Sequence, residues 1–243
     1  MSSALITGGA VRLGRSFALH LANKGYNIAL HYSSSAGGAE QTLAEISKTG
    51  ASCRGYSRDL RDISQAESLI GEVLHDFSDL GLLINNAANF ILENVESTQS
   101  KTLENTLHLN LMAPYLLMRE YKKRVGHGMI INILDQRVLK NLPTFAAYSV
   151  SKIGLEHLTK IAAVEWGSSI RVNGIAPGLI LPPPWENEAY LKRRASQIPV
   201  ADHGSPKDLV RGLDYLLDSP FVNGEILFID GGESKCSVIP NEI

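Results

Sequence analysis

The chain has few cysteines, and their positions exclude several kinds of site. Among 243 residues only Cys53 and Cys236 are cysteines, and they lie far apart in the sequence. No Cys-x-x-Cys motif and no His/Cys ligand spacing occurs. The sequence therefore predicts two free thiols in a reducing compartment, with neither a disulfide nor a metal site.

Strong net charge and long apolar runs are absent as well. The chain has 23 Lys and Arg against 25 Asp and Glu, which argues against a broad electrostatic surface for nucleic acid. No apolar run is long enough to span a bilayer, and the N-terminus has no signal-peptide pattern. We therefore expect a cytoplasmic protein whose partner is a small molecule, with neither nucleic acid nor membrane involved.

Short apolar runs alternate with amphipathic helical patterns along the whole chain. The predicted strands are 4–7, 27–32, 51–57, 80–85, 129–134, 170–175 and 225–229. The predicted helices are 13–24, 39–49, 63–77, 98–124, 146–166 and 206–218. Such alternation builds a parallel sheet covered by helices on both faces. Residues 1–243 are thus predicted to form a single α/β domain, a Rossmann-type doubly wound sheet that binds ligands at its carboxyl edge.

Residues 177–204 interrupt this alternation. Three consecutive prolines at 182–184 end any helix or strand there. A long irregular segment in a compact domain is more often functional than accidental, so residues 178–204 are predicted to form a substrate lid. A solvated excursion is the alternative. The candidate walls of a binding site in this segment are Leu179, Leu181 and Trp185.

A glycine-rich turn follows the first predicted strand. Its candidate cofactor contacts are Thr7, Gly8, Arg12, Leu13 and Gly14. Glycines allow a tight turn and close backbone approach to a pyrophosphate, and the N-terminus of the following helix favours the anion. The spacing departs from Gly-x-Gly-x-x-Gly, so a purely structural turn is the alternative. The position in a βαβ unit favours a dinucleotide site.

The end of the second strand predicts the choice of cofactor. An acid there would bond the ribose 2′-hydroxyl and repel a 2′-phosphate. The chain instead has His31, Tyr32, Ser33 and Ser34, with no acid before Glu40. Hydroxyls, backbone amides and the His31 ring can receive a phosphate, which favours NADP over NAD. The alternative is that the serines only cap the next helix.

Polar residues also end the third and fourth strands. Asp59 and Leu60 are placed to meet the adenine, while Asn86 and Ala87 are placed beside the nicotinamide ribose. Each signal is weak alone, because Asp and Asn often only close turns.

A tyrosine and a lysine lie one turn apart on the fifth predicted helix. The spacing of Tyr148 and Lys152 brings both onto one face, and Asp135 precedes them in the same region. An ammonium beside the phenol is expected to lower the pKa of Tyr148, so that it exchanges a proton near neutral pH. Most such pairs are ordinary surface residues, but here a nucleotide site accompanies the pair.

Together these motifs resemble the short-chain dehydrogenase/reductase family over essentially the whole chain. The matching residues are Thr7-Gly8, Gly14, Asp59, Asn85-Asn86-Ala87, Asn110, Tyr148, Lys152, Asn173, Pro177-Gly178 and Asp230-Gly231-Gly232. The resemblance implies a nicotinamide cofactor, contacted also by Pro177, Gly178 and Leu179, and usually a homotetramer. It also implies that Tyr148 donates a proton, that Lys152 holds the nicotinamide ribose, and that Asn110 holds a relay water.

Two departures from the family pattern indicate a branch. Asp135 stands where the family usually has serine, and Arg12 stands where it usually has glycine. With the strings TGGAVRLGRS, HYSSSA, NNAANF and GLILPPPWE, they resemble the pteridine reductase branch, which includes dihydromonapterin- and dihydrofolate-reducing members. This resemblance implies that Arg12 faces the pyrophosphate and the pterin, and that Phe90 stacks on the pterin ring. A core position is the alternative for Phe90.

The acid itself favours a nitrogen heterocycle. A serine hydroxyl donates to a carbonyl oxygen that gains negative charge, whereas an ionised aspartate only accepts. Asp135 therefore suits a substrate with N–H donors, or a C=N group whose nitrogen is protonated, and a dihydropterin has both. The predicted substrate contacts are Arg12, Phe90, Asp135, Tyr148, Leu181 and Trp185.

The predicted function is NADPH-dependent reduction of a dihydropterin or dihydrofolate, with hydride transfer to a C=N carbon. The first alternative is a carbonyl or 3-oxoacyl thioester reductase of the same family. The second is an NADP-binding sensor with little turnover. Intact Tyr148, Lys152 and Asn110 argue against the sensor, since binding alone needs no proton relay.

Overall fold

The computed structural model describes residues 2–236, which form a parallel sheet of seven strands. The strands are β1 Ser3–Ile6, β2 Asn27–Tyr32, β3 Cys53–Ser57, β4 Leu80–Asn85, β5 Gly128–Ile133, β6 Ile170–Pro177 and β7 Ile226–Ile229. Their order across the sheet is β3-β2-β1-β4-β5-β6-β7. All neighbouring strands run parallel, which confirms the doubly wound Rossmann-type fold. The winding reverses between β1 and β4, where such sheets open a ligand crevice.

Helices cover both faces of the sheet. They are α1 Arg12–Asn23, α2 Ala36–Ser47, α3 Ile63–Asp76, α4 Ser100–Leu107, α5 Ala113–Arg124, α6 Ala146–Trp166, α7 Glu188–Ala195 and α8 Pro206–Asp218. Successive residues of a strand point to opposite faces. Ile6 of β1 therefore packs in a core with Phe17 of α1, whereas Leu5 packs in a second core with Leu69 of α3. All four residues of β1 are buried, and their alternating side chains contribute to both layers.

One predicted helix is interrupted in the structure. The pattern over 98–124 predicts a continuous helix, but a π-helical turn at His108–Met112 separates α4 from α5. The wider turn contains Asn110, which is fully buried. A π-turn inserts one residue into the helical repeat and often marks a functional position.

The predicted lid, residues 178–204, is more regular than the sequence predicts. Helix α7 forms within it, because Asn187 caps the first turn by accepting a hydrogen bond from the Ala189 N–H at 2.9 Å. The prolines at 182–184 end regular structure before this cap and do not reach the helix. Within residues 2–236 no helix is long and apolar enough to cross a membrane, and no cluster of ligand side chains could hold a metal.

Candidate active site

A cavity of about 680 Å³ lies at the carboxyl edge of the sheet, between the glycine turn, the strand ends and the lid. It brings together most of the predicted site residues: Gly8, Arg12, Leu13, Gly14, His31, Tyr32, Ser33, Ser34, Asp59, Leu60, Asn86, Ala87, Phe90, Asp135, Tyr148, Lys152, Pro177, Gly178, Leu179 and Leu181. Three predicted residues do not line it, namely Thr7, Asn110 and Trp185. Thr7 and Asn110 instead support residues that do.

The glycine turn is shaped for close backbone approach. Gly8 has φ +62°, and a Cβ on Gly14 would lie 2.1 Å from the Gly8 carbonyl oxygen. Thr7 Oγ1 accepts hydrogen bonds from the backbone N–H groups of Asn86 and Ala87 at 2.9 and 3.0 Å. These bonds join the turn to the end of β4. The resulting cradle, at the start of α1, fits a dinucleotide pyrophosphate.

His31 has a different role from the predicted one. Its Nδ1 accepts from the Gly8 N–H at 3.1 Å, and its Nε2 lies 3.1 Å from the Arg58 carbonyl oxygen. Burial lowers the pKa of His31 to about 4, so the ring is neutral near pH 7. Both ring nitrogens therefore contact backbone, and the prediction that the imidazole receives a phosphate is corrected. His31 instead fixes the glycine turn.

An unpredicted arginine lies beside the adenosine end of the cavity. Arg61 donates to both carboxylate oxygens of Asp59, at 2.9 and 2.6 Å. This bonding holds the pKa of Asp59 below its usual range. Arg61 lines the cavity together with Ser33 and Ser34, so the region carries hydroxyls and a cation. The sequence indicates this pairing only by placing a basic residue, Arg61, two positions after Asp59.

The catalytic candidates meet at the end of β5. The Tyr148 hydroxyl donates to Asp135 Oδ2 at 2.9 Å, and Lys152 Nζ donates to the Ile133 carbonyl oxygen at 2.7 Å. Burial lowers the pKa of Lys152 to about 8. The phenol and the ammonium are buried, and the partly exposed carboxylate of Asp135 lies beside the phenol.

The prediction that the Lys152 ammonium lowers the pKa of Tyr148 is wrong in direction. Burial raises the pKa of Tyr148 well above its ordinary value, and the Asp135 carboxylate raises it further. The Lys152 ammonium lies 5.7 Å from the Tyr148 ring centroid, whereas Asp135 receives the hydroxyl directly. The nearest charge is therefore negative, and it holds the phenolic proton in place.

Asp135 contacts two partners with its two oxygens. Oδ2 receives the Tyr148 hydroxyl, while Oδ1 receives the Arg137 backbone N–H at 2.9 Å. The Arg137 guanidinium lies 3.8 Å from Oδ1. The backbone bond starts the 3-10 turn Gln136–Leu139 and orients the carboxylate. Asp135 therefore contacts both Tyr148 and Arg137.

The buried Asn110 supports the loop after β4. Its side chain accepts from the Asn89 N–H at 3.0 Å and donates to the Asn89 carbonyl and to Ser151 Oγ, both at 3.2 Å. These bonds fix the residue just before Phe90. That Asn110 holds a relay water stays a prediction.

A cluster of aromatic rings lies beside Tyr148. Phe90 stacks on Phe145 with centroids 4.1 Å apart, and Trp185 of the lid lies parallel to Phe90 at 5.8 Å. Phe90 also meets Tyr148 edge-on at 4.7 Å. The Arg137 guanidinium lies 5.4 Å from the Phe90 centroid. This flat, electron-rich wall suits a planar ligand. Phe145 was not predicted, although it precedes Tyr148 by one turn.

The lid is tied to the glycine turn. Arg12 Nη2 donates to the Pro182 carbonyl oxygen at 2.6 Å. Arg12 itself has φ 54°, a left-handed conformation unusual for a residue with a Cβ. Leu181 also lines the cavity, so the start of the lid forms part of its wall.

Comparison with known proteins agrees with this architecture. A model of the short chain dehydrogenase family matches residues 2–190. The chain is 30% identical over 244 residues to the 3-oxoacyl-acyl-carrier-protein reductase FabG of Staphylococcus aureus, covering 95% of this chain and 97% of that relative. It is also 30% identical over 241 residues to D-threitol dehydrogenase of Mycolicibacterium smegmatis, covering 94% and 91%.

Two similar solved structures contain a cofactor. FolM Alternative dihydrofolate reductase 1 from Brucella suis, in complex with NADP, has a TM-score of 0.93 and 27% identity, covering 98% of this chain and 97% of that one. The Brucella canis protein of the same name, also complexed with NADP, has a TM-score of 0.91, 27% identity and coverage of 99% and 97%. The family match, on this fold and with this site, shows that the chain belongs to the short-chain dehydrogenase family of oxidoreductases.

Proposed function

We propose that this protein is an NADPH-dependent reductase of a dihydropterin-type substrate. The observation that carries the proposal is the hydrogen bond from Tyr148 to Asp135 inside a cavity walled by aromatic rings. The carboxylate accepts hydrogen bonds, the phenol supplies a proton, and the rings favour a flat heterocycle. A dihydropterin offers N–H donors, a C=N group and a planar ring.

The glycine turn and the strand ends would hold the cofactor. The tight turn at Gly8 and Gly14 fits a pyrophosphate, and Ser33, Ser34 and Arg61 offer donors suited to a 2′-phosphate. When bound, the nicotinamide supplies a hydride. The absence of an acid at the end of β2 supports NADP over NAD, as does NADP in the two similar FolM structures.

The protein's own residues then handle the proton. Tyr148 gives its phenolic proton to the substrate nitrogen as the adjacent carbon is reduced. The Lys152 ammonium, with a pKa of about 8, remains charged near pH 7 and stabilises the tyrosinate that forms. Asp135 accepts an N–H of the substrate while it orients the tyrosine. Proton transfer by a placed side chain contributes about 10²–10⁴-fold to rate.

Aromatic stacking would select the substrate. A planar ring against Phe90 gains on the order of 1 kcal/mol beyond area burial. Phe145 and Trp185 do not line the cavity, but each lies 8° from parallel with Phe90, so the ring of Phe90 is held in place before a ligand binds. The dihydrofolate reductase names of the similar solved structures support this substrate class.

A 3-oxoacyl thioester or carbonyl reductase is the second candidate. The 30% identity to FabG supports it. Against it stands Asp135, because an ionised carboxylate cannot donate to a carbonyl oxygen that gains negative charge. An NADP-binding sensor is a third candidate, which the intact Tyr148 and Lys152 oppose.

A substrate panel separates these candidates. NADPH oxidation is measured with dihydrofolate, with dihydropterins and with an acetoacetyl thioester. Turnover of the pterins is expected, and Tyr148→Phe should lower it by about 10²-fold or more because the proton is lost while the ring remains. Turnover of the thioester alone would support the second candidate, and tight NADPH binding without turnover would support the sensor.

Homotetrameric assembly in the cytoplasm belongs to the same proposal. One face of α6 carries exposed apolar side chains, namely Val150, Ile153, Ile161 and Val164. Such a row favours packing against another subunit. Cys53 and Cys236 are free thiols, which suits a reducing compartment. Sedimentation analysis gives the subunit number.

A further inference from the structure

Gln136 is a buried amide side chain in the wall of the cavity. It directly follows Asp135 in the chain, and only 3% of the residue is exposed. Its side-chain oxygen, Oε1, is buried and accepts no hydrogen bond. The catalytic group described above does not include this side chain, so its polar amide has no role in the fold or in the site as described so far.

An unpaired amide at this depth is unfavourable for folding. The group gives up its hydrogen bonds to water and gains none in the folded protein. Most buried polar groups are paired, and each exception requires an explanation. A methionine of similar length would fill the same space without this cost. A ligand that pairs the amide would remove the cost, and the position of Gln136 in the cavity wall makes such a ligand possible.

A second unpaired amide oxygen lies in the same cavity wall. Asn89 directly precedes Phe90, and its Oδ1 is also buried without a hydrogen-bond partner. The Asn89 Nδ2 donates to Thr106 Oγ1 at 3.0 Å, which fixes the orientation of that amide. Among the described residues that line the cavity, Asn89 and Gln136 hold the two buried amide oxygens without partners. Acceptors are therefore in excess, as expected where a ligand brings N–H donors.

The chain neighbours of Gln136 lie at the substrate end of the cavity. Gln136 begins the 3-10 turn that follows β5. On one side of it, Asp135 receives the Tyr148 hydroxyl at 2.9 Å. On the other side, the Arg137 guanidinium lies 5.4 Å from the centroid of the Phe90 ring. The residue thus stands in the chain between a contact to the proton donor and a contact to the stacking ring.

A carboxamide matches the edge of a nitrogen heterocycle. It has an oxygen that accepts and an NH2 group that donates, whereas the ionised Asp135 only accepts. Its terminal torsion is broad and roughly two-fold, so a half turn exchanges oxygen and nitrogen at the cavity surface. Glutamine reads the edge of adenine through the same pair of groups. A dihydropterin ring carries N–H donors next to C=N and C=O acceptors, so it can pair the amide in either orientation.

We propose that Gln136 is a specificity-determining residue whose carboxamide hydrogen-bonds the ring edge of the reduced heterocycle. The assignment rests on the proposed dihydropterin reductase function and adds a residue that recognises the ring itself. The amide thus destabilises the free enzyme and strengthens the binding of substrate.

The variant Gln136→Met tests both halves of the assignment, because methionine keeps the chain length and removes the amide. Without ligands, the variant should melt about 2–4 °C above the wild type, since a buried unpaired group is lost. With saturating NADPH, the KM for a dihydropterin should rise about tenfold while kcat changes less than about twofold, because a hydrogen bond of uniform binding is lost. The Kd of NADPH, from fluorescence titration, should stay unchanged.

The matched control is Gln99→Met. Gln99 is exposed before α4, and its side chain does not cap that helix. This variant should leave the melting temperature, the KM and the Kd of NADPH unchanged.

Four results bear against the assignment. Failure of Gln136→Met to fold, or melting below the wild type, would show that the amide supports the fold and would overturn the assignment. An unchanged KM for the dihydropterin would overturn it by showing that solvent satisfies the amide. Weaker NADPH binding with an unchanged KM would overturn it in favour of a cofactor contact. All three leave pterin reduction by the wild type intact, whereas a wild type that reduces no pterin would overturn the proposed function and the assignment with it.

Discussion

The Tyr148 hydroxyl and the Asp135 carboxylate share a hydrogen bond of 2.9 Å inside the cavity. Tyrosine is therefore bonded to an acceptor, whereas a serine at position 135 would have offered a second donor. This one contact fixes where the phenolic proton lies. It also makes the site suited to a substrate that brings N–H groups.

Removal of the Asp135 charge should lower the pKa of Tyr148. In Asp135→Asn the neutral amide no longer opposes tyrosinate formation, although burial still does. Tyrosinate absorbance, followed over an alkaline titration and corrected with Tyr148→Phe, measures the change. Identical titrations of the wild type and Asp135→Asn would mean that the carboxylate does not control the tyrosine.

The buried Lys152 should make stability rise with pH. Its pKa is about 8 in the folded protein against an ordinary 10.5, so between these values the unfolded chain holds a proton that the folded chain has lost. The free energy of unfolding should then increase from pH 8 to 10, by on the order of 1–3 kcal/mol. Urea unfolding of Lys152→Met should lack this rise, while the exposed control Lys101→Met should keep it. An equal rise in the free energy of unfolding for the wild type and Lys152→Met would contradict the lowered pKa of Lys152.

His31 should make the protein less stable in mild acid. Its folded pKa is about 4 against an ordinary 6.5, so the unfolded chain takes up a proton that the folded chain refuses as the pH falls between them. The loss is on the order of 3 kcal/mol at most. His31→Asn should show a smaller decline, and His75→Gln, on an exposed side chain, should decline like the wild type. Unfolding at pH 6.5 and pH 4.5 gives the comparison, and equal declines in all three proteins would rule out this role.

Arg12 should hold the lid closed. Arg12→Gly loses the bond to the Pro182 carbonyl oxygen but tolerates φ 54°, whereas Arg12→Ala loses the bond and keeps a Cβ in that conformation. The glycine variant should therefore be more stable than the alanine variant by about 1 kcal/mol. Both should show faster amide hydrogen exchange over residues 178–204.

The matched control for the lid is Arg15→Ala, which removes the neighbouring arginine that pairs with Glu45 of α2. It should leave lid exchange unchanged. Wild-type exchange rates in both Arg12 variants would show that this contact does not restrain the lid.

Much of the fold and the placement of Tyr148 and Lys152 on one helix could be predicted from sequence patterns. Strand β2 and helix α6 have the predicted bounds, because a short apolar run and one long amphipathic helix are local signals. The spacing of Tyr148 and Lys152 is likewise local. Asp135 and Tyr148 lie on different elements, and their contact could be predicted only because the family resemblance gave their relative positions.

The features that were missed depend on tertiary environment. The π-turn around Asn110 has no distinct hydrophobic period. The pKa of Tyr148 depends on which charge lies nearest its hydroxyl, and sequence spacing gives only the lysine. The sequence could not predict the role of His31, because its burial between the glycine turn and the Arg58 carbonyl is visible only in three dimensions. The burial of the unpaired Gln136 amide likewise depends on the residues packed around it.

The central claim is that Asp135 commits this site to a nitrogen heterocycle. The most direct test is the ratio of kcat/KM for a dihydropterin to kcat/KM for an acetoacetyl thioester, measured with NADPH for the wild type and for Asp135→Ser. The wild type should favour the dihydropterin by about 10²-fold or more, the scale of one misplaced donor in an oxyanion site, and Asp135→Ser should reduce that preference. A wild-type preference for the thioester, or a ratio unchanged by the serine, would contradict the account.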